Sequence, residues 1–279
     1  MLSVTMHPQT GLPQVDAAGD KRILACLEPH FKHKFTPYKR EVIQPKDWRP
    51  GRRIEFVPKI YDQNGQGSCV GHGAVGGMRT KRIMQGFQDV DLSACDVYAR
   101  INGGRDNGAV VSDSLEELEK GVCTEKVCPP KAIYPRLYDQ NKAKEERSRF
   151  RITRAESLSG YEEVGSALQY NELVVFGTMV GSSFDPDNRG VIGPRRGSGG
   201  GHCMYAIDVI NFGGTMYIVV VNSWGKKWGL NGICYLHPSY FEGRYFDAYC
   251  IYGAEADPDD AGLPTPPVGP AAFDEAIAA

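Results

Sequence analysis

No apolar run in this chain is long enough to cross a bilayer; the longest, such as MYIVVV at 216–221, have the length of one strand. The opening residues, MLSVTMHPQTGLPQVDAAGDKR, lack the basic start and apolar core of a secretory signal peptide. Neither sign of charge dominates. Lys plus Arg number 32, Asp plus Glu 34, and the net charge of −2 excludes the basic footprint of a nucleic-acid binder. These absences point to a chain in the cytoplasm or in a larger particle, or one released without a signal peptide, with neither membrane nor nucleic acid as partner. A second cysteine pair is also missing. Cys123 and Cys128 are spaced CxxxxC with nothing to complete a tetrahedral zinc site, so no metal and no cofactor are expected. Without an export signal, the eight cysteines are expected to be buried thiols, not disulfides. Basic residues stop at Arg244, while 254–279 is acidic and rich in Pro and Ala. That composition reads as a solvated tail, with a docking segment for a partner as the other reading.

What is present is ordinary in bulk: 279 residues, 41% hydrophobic and 24% charged, enough for one large domain or two small ones. Val70, Ala74, Val75 and Met78 are spaced for one helix face, and the segment runs on through RTKRIM at 79–84. Its glycines cost propensity, which a closely packed buried helix would tolerate. A second helix is expected at 114–120, with Ser114 and Glu117 as a capping box and Gly121 at its end. A third is expected from Ser159, with Glu162 three residues on. Strands are expected at 172–180, 203–210, 215–224 and 232–238, and 54–60 (IEFVPKI) is a strand candidate ahead of them. Between the strands, 181–201 is a long glycine-rich loop of the kind that is usually functional. Helices first and strands second imply an α+β fold in two lobes, not a doubly wound sheet.

The stretch DQNGQGSCVGHGAVGGM at 62–78 admits three readings. Residues 71–76 match GxGxxG, but the dinucleotide fingerprint needs a strand running directly into the glycines, and polar turn residues intervene. Cys69 and His72 lack further ligands at metal-binding spacing. The third reading is nucleophilic: a reactive Cys69 needs a histidine base and an orienter for it. His30 and His33 lie in a basic patch and read as surface residues. His202, after GSGGG and at the start of a strand, reads as accessible, and Asn222 stands at the end of another strand.

The segments 62–69 (DQNGQGSC), 200–209 (GGHCMYAIDV) and 220–236 (VVNSWGKKWGLNGICYL), in this order, resemble the papain family of cysteine proteases. DWRPGRR at 47–53 resembles the opening of the mature enzyme, so the likeness spans about 45–253. The resemblance implies a papain-like fold, a helical lobe and a β-barrel-like lobe with the site in the cleft between them. It implies Cys69 as nucleophile, His202 as its acid–base partner, Asn222 as the orienter of His202, and Trp224 as a cover over that hydrogen bond. Gln63 would donate to the oxyanion beside the Cys69 backbone N–H. Gly108 would lie along the substrate backbone, with the glycines of 102–104 as rivals. On this reading His202, not His72, is the base, and Cys203 packs its strand.

The departures are informative. Val70 replaces the usual Trp after the nucleophile, which bears on substrate preference. Gln66 stands where secreted members carry a disulfide cysteine. The short leader, this missing cysteine and GVCTEK at 121–126 look more like the compact bacterial, archaeal or phage-borne branch. The expected division is an N-terminal arm or short pro-segment (1–45), a protease domain (46–253) and the acidic tail (254–279). The expected function is hydrolysis of a polypeptide through a thioester. The alternative is a papain-fold binding or structural component of a larger assembly, attached through 1–45 or the tail.

Overall fold

In the computed structural model, which describes residues 24–29, 35–181, 184–197 and 199–254, the apolar runs of the second half form one sheet. The order along the chain is β1 (Thr36–Pro37), α1 (Cys69–Met84), α2 (Ala94–Ile101), α3 (Val111–Lys120), α4 (Gln140–Arg147), β2 (Ile152–Leu158), α5 (Tyr161–Gln169), β3 (Leu173–Gly181), β4 (Val191–Ile192), β5 (Gly199–Phe212), β6 (Thr215–Val221), β7 (Ile233–Leu236) and β8 (Asp247–Ala254). Across the sheet the strands run β1-β2-β8-β3-β5-β6-β7-β4. The interior pairings are antiparallel, and the outer pairs β1·β2 and β4·β7 are parallel.

The central strands are buried on both faces, which is why they read as continuous apolar runs with no alternation. On β3, Leu173 and Val175 join α1, α2 and α3 in one core, while Val174 and Phe176 join Trp48, Val164 and Leu168 in a second core on the opposite face. Helix α1 is buried nearly all round. Its glycines bring it against its neighbours: a Cβ on Gly71 would collide with the Ala94 carbonyl, and one on Gly76 would stand 2.6 Å from the Tyr205 ring. The GxGxxG spacing therefore serves helix packing.

Several expectations are corrected. IEFVPKI forms no strand; Arg53–Phe56 is a 3-10 turn. The buried Arg53 guanidinium sets it, pairing with Asp208 Oδ1 at 2.9 Å and donating to the Leu168 carbonyl at 2.7 Å. The Ser114 capping box is absent. Helix α3 starts earlier, at Val111, because Val111, Leu115 and Leu118 make its buried face. Ser114 is internal and its hydroxyl donates to the Val111 carbonyl at 2.6 Å. Gly121 does end this helix, at φ 104°. The third helix begins at Tyr161, and Glu163, not Glu162, accepts the Ser159 N–H, at 2.7 Å. Helices α2 and α4 and strands β2 and β8 went unread in the sequence. All eight cysteines are buried free thiols. His30 and His33, most of the 1–45 arm, and the tail from 255 lie outside the described residues. Among the described residues, no helix is long and apolar enough to cross a membrane.

Candidate active site

Cys69 is the first residue of α1, after the N-cap Ser68. Its position follows from the loop before it. Asp62 bridges Trp224, Gln63 N–H donates to the Ser223 carbonyl at 2.9 Å, and Gly225 N–H to the Tyr61 carbonyl at 3.0 Å. The start of the helix is thereby fixed to the chain leaving β6. One turn on, a Cβ at Gly73 would stand 2.9 Å from Cys203 Sγ, so α1 lies directly on β5 beside His202. The Cys69 thiol is buried, and burial pushes its pKa up to about 11; the backbone amides of Cys203, Ala25, Val70 and Cys69 itself act in the opposite direction.

His202 lies on β5, where its register partner is Thr178 on β3. Its Nε2 is 2.8 Å from Asn222 Oδ1, and the same oxygen accepts the Ser223 N–H at 2.8 Å. Asn222 follows β6, its own N–H donating to the Gly232 carbonyl at 2.9 Å. The Trp224 indole stacks on the imidazole, ring centroids 4.6 Å apart. Phe184, from the glycine-rich loop, meets Trp224 edge-on at 5.8 Å and stacks on Trp228 at 5.7 Å. The His202–Asn222 bond is thus roofed by aromatic rings. All of these residues are buried.

Gln63 is held by both ends of its carboxamide. Oε1 accepts from Ser223 Oγ at 2.8 Å, and Nε2 donates to the Gln66 carbonyl at 2.7 Å. Ser223 was not singled out in the sequence, although it lies inside the VVNSWG motif. Phe184 was hidden in a loop with no periodicity to mark it. His72 is on the same helix as Cys69 but is placed differently. Its Nδ1 is 2.9 Å from the Ser68 carbonyl, and burial lowers its pKa to about 4. It lines a cavity of about 220 Å³ with Lys59, Tyr61 and Glu125.

Between α2 and α3, Gly108 has φ +88°, and its N–H donates to Tyr98 Oη at 3.0 Å. The place a Cβ would take there is filled by the carbonyl oxygen of Ala25. Gly103 and Gly104, the rivals, have open space in the same direction. Residues 24–29 run beside this segment: Cys26 forms a parallel bridge with Ala109, and Cys26 N–H donates to the Gly201 carbonyl at 3.0 Å. The arm therefore bridges the 108–110 segment and β5, with the Ala25 amide against the Cys69 thiol. Among the described residues no group of three or more His, Cys, Asp or Glu is arranged to hold a metal ion.

The family profile described as papain family cysteine protease matches residues 43–242. The chain belongs to the papain family. This papain-family chain is 26% identical over 227 residues to the cysteine proteinase COT44 of Brassica napus, covering 76% of this chain and 65% of that protein. It is 25% identical over 205 residues to the oryzain beta chain of Oryza sativa subsp. japonica, covering 69% and 41%. It thus spans less than two thirds of the length of these relatives. Among solved structures, proCathepsin B S9 from Trypanosoma congolense superposes with a TM-score of 0.63 at 15% identity, over 82% of this chain and 87% of that one. Xylellain, a cysteine protease from Xylella fastidiosa, gives 0.59 at 20% identity, over 81% and 98%. These likenesses show the papain-like α+β fold.

Proposed function

We propose that this papain-family chain is a cysteine endopeptidase whose nucleophile is Cys69, and that 24–29 holds it in a latent form. The observation that carries the reading is the His202 Nε2–Asn222 Oδ1 bond at 2.8 Å beneath Trp224, on the strand against which Cys69 packs. Asn222 Oδ1 accepts the hydrogen bond of Nε2–H and so fixes the tautomer, leaving Nδ1 to exchange a proton with Cys69. His202 takes the thiol proton, and the thiolate attacks the peptide carbonyl. The negative oxygen is met by Gln63 Nε2 and the Cys69 backbone N–H at the helix start, where the peptide dipoles favour negative charge. His202 then gives its proton to the departing amine, leaving a thioester. It next takes a proton from water, which attacks the thioester and frees Cys69. Gly108 leaves room for a peptide backbone along the path that the arm now fills.

On this division, 46–253 is the protease domain, and the stretch before it contains the arm. The substrate is a polypeptide. While the arm is in place the Cys69 thiol stays protonated at neutral pH, since burial holds its pKa near 11. The test is hydrolysis of a fluorogenic peptide library by reduced protein, before and after proteolytic removal of the arm. Removal is expected to raise the rate, and Cys69→Ala to abolish it. No hydrolysis by reduced, arm-free protein would favour a papain-fold binding component instead.

A further inference from the structure

Three thiols lie together under the arm: Cys26 on the arm itself, Cys69 at the start of α1 and Cys203 on β5. All are buried and belong to one apolar cluster. The proposed hydrolysis uses only one of them. The placement of Cys26 follows from sheet register. Gly177 on β3 is paired with Cys203 on β5 and with Asp247 on β8, so these three residues share a face. The middle one has no side chain, and Cys26 fills the gap: a Cβ on Gly177 would stand 2.7 Å from Cys26 Sγ. The backbone amide of Ala25, the preceding residue, acts on the Cys69 thiol; burial raises the Cys26 pKa, and a thiolate at Cys69 would raise it further.

Cys203 and Cys26 are held very differently. Cys203 is in mid-strand, its Sγ beneath Gly73 of α1. Cys26 is on a segment tied to the body by Cys26 N–H to the Gly201 carbonyl at 3.0 Å, Leu27 N–H to the Ala109 carbonyl at 2.9 Å and Ala109 N–H to the Ala25 carbonyl at 3.1 Å. The Arg244–Glu28 ion pair at 2.6 Å is exposed and adds little. Of the two neighbouring thiols, Cys26 is the one on the arm, and Cys203 is fixed in the sheet.

We propose that Cys26 is a resolving thiol for Cys69, forming with it a reversible disulfide that fastens the arm in the cleft after the nucleophile has met a peroxide. The proposal rests on the reading of Cys69 as nucleophile. With the arm off the cleft, the Cys69 thiolate attacks hydrogen peroxide. An S–O bond forms, the O–O bond breaks, and hydroxide leaves, giving a sulfenic acid. The arm returns and Cys26 sulfur attacks Cys69 sulfur. The S–S bond forms, the S–O bond breaks, and the departing hydroxide leaves as water with the Cys26 proton. Two thiols have lost two electrons and two protons, and the peroxide has become two waters. The order of events is set by position: with the arm off the cleft Cys69, at the start of α1, meets the oxidant first, and Cys26 reaches it only when the arm returns. A dithiol reductant reverses the bond.

The test uses the full chain. Reduced protein is first assayed for peptide hydrolysis and for Cys69 alkylation by a thiol-directed epoxide. No hydrolysis and no Cys69 adduct after proteolytic removal of the arm removes the nucleophile reading before any oxidant is added. The protein is then treated with hydrogen peroxide and mapped by non-reducing peptide mass spectrometry. The expected result is a Cys26–Cys69 linked peptide, loss of hydrolysis, and return to the untreated rate with dithiothreitol. Cys26→Ser is measured against its own rate when reduced. After peroxide it should give no linked peptide, carry Cys69 to the sulfinic acid, and stay inactive with dithiothreitol. A wild-type map with no Cys26–Cys69 link, or with Cys69 joined to Cys203, would overturn the proposal. So would full recovery of Cys26→Ser. Should that variant fail to fold, the wild-type map alone decides, and Cys26→Ala repeats the recovery measurement.

Discussion

The indole of Trp224 lies over the imidazole of His202, with ring centroids 4.6 Å apart and planes 27° from parallel. That contact screens the His202–Asn222 hydrogen bond from water and limits the tilt of the ring. Trp224→Ala should therefore misplace His202 without removing it. The expected loss is about 10²-fold in kcat with KM little changed, as for a roughly 1 Å displacement of a catalytic group. Steady-state kinetics on the arm-free protein separate the two constants; a raised KM at constant kcat would place Trp224 in substrate binding instead.

Gly108 and Ala25 meet where no side chain fits. Gly108→Ala puts a methyl group where the Ala25 carbonyl oxygen lies and strains a residue at φ +88°. The backbone strain alone is about 1–2 kcal/mol. Since the arm is the part that can yield, the variant should shed it, and trypsin should remove the arm faster than from wild type. An unchanged cleavage time course would mean that Gly108 does not hold the arm.

Arg53 and Asp208 form a buried ion pair at 2.9 Å, and Asp208 also accepts the N–H groups of Gly51, at 2.7 Å, and of Arg53, at 3.3 Å. Asp208→Ala strands a buried guanidinium and unpairs those amides. The expected cost is about 3–5 kcal/mol in urea unfolding, since removing one partner of a buried pair leaves an uncompensated charge. A loss below about 1 kcal/mol, the range of surface pairs, would show that the segment around Arg53 is held by packing alone.

Alkaline pH should open the closed state. Burial raises the Cys69 pKa from an ordinary 9.0 to about 11, so the closed state favours the neutral thiol. Its contribution is complete below pH 9 and is lost as pH rises from 9 through 11. The contribution is on the order of 3 kcal/mol, at about 1.4 kcal/mol for each pH unit between 9 and 11. Urea unfolding of wild type and Cys69→Ser across this range measures it: wild type should fall more steeply. Parallel curves would show that ionisation of Cys69 is not linked to the closed state.

The parts of the site that were legible in the sequence were those whose spacing is local to a motif. Cys69 and Gln63 are joined by one loop, and Asn222, Ser223 and Trp224 by one strand end. The order of segments then implied their meeting across the fold. The central strands were legible because their faces are both buried and both apolar. Strand β8 was not, because DAYCIYGA is short and mixed, and its apolarity makes sense only between β2 and β3. Arg53 misled for the opposite reason. Its turn is set by Asp208, remote in sequence, so IEFVPKI offered an apolar run with no hint of the partner that bends it. The arm in the cleft was open as a reading of 1–45, but which residues occupy it is a matter of tertiary contact. Only the pairing of Cys26 with Ala109 and Gly201 picks out 24–29.

The central claim is that Cys69 is the nucleophile and that the arm restrains it. Intact-mass and peptide-mapping measurement of alkylation by a cleft-directed epoxide, on reduced protein with the arm present and after its removal, tests this most directly. The account predicts one adduct, on Cys69, formed slowly with the arm in place and rapidly without it, and none in His202→Ala on the same time scale. No adduct on Cys69 in folded, arm-free protein, or equal labelling of Cys203, would contradict it.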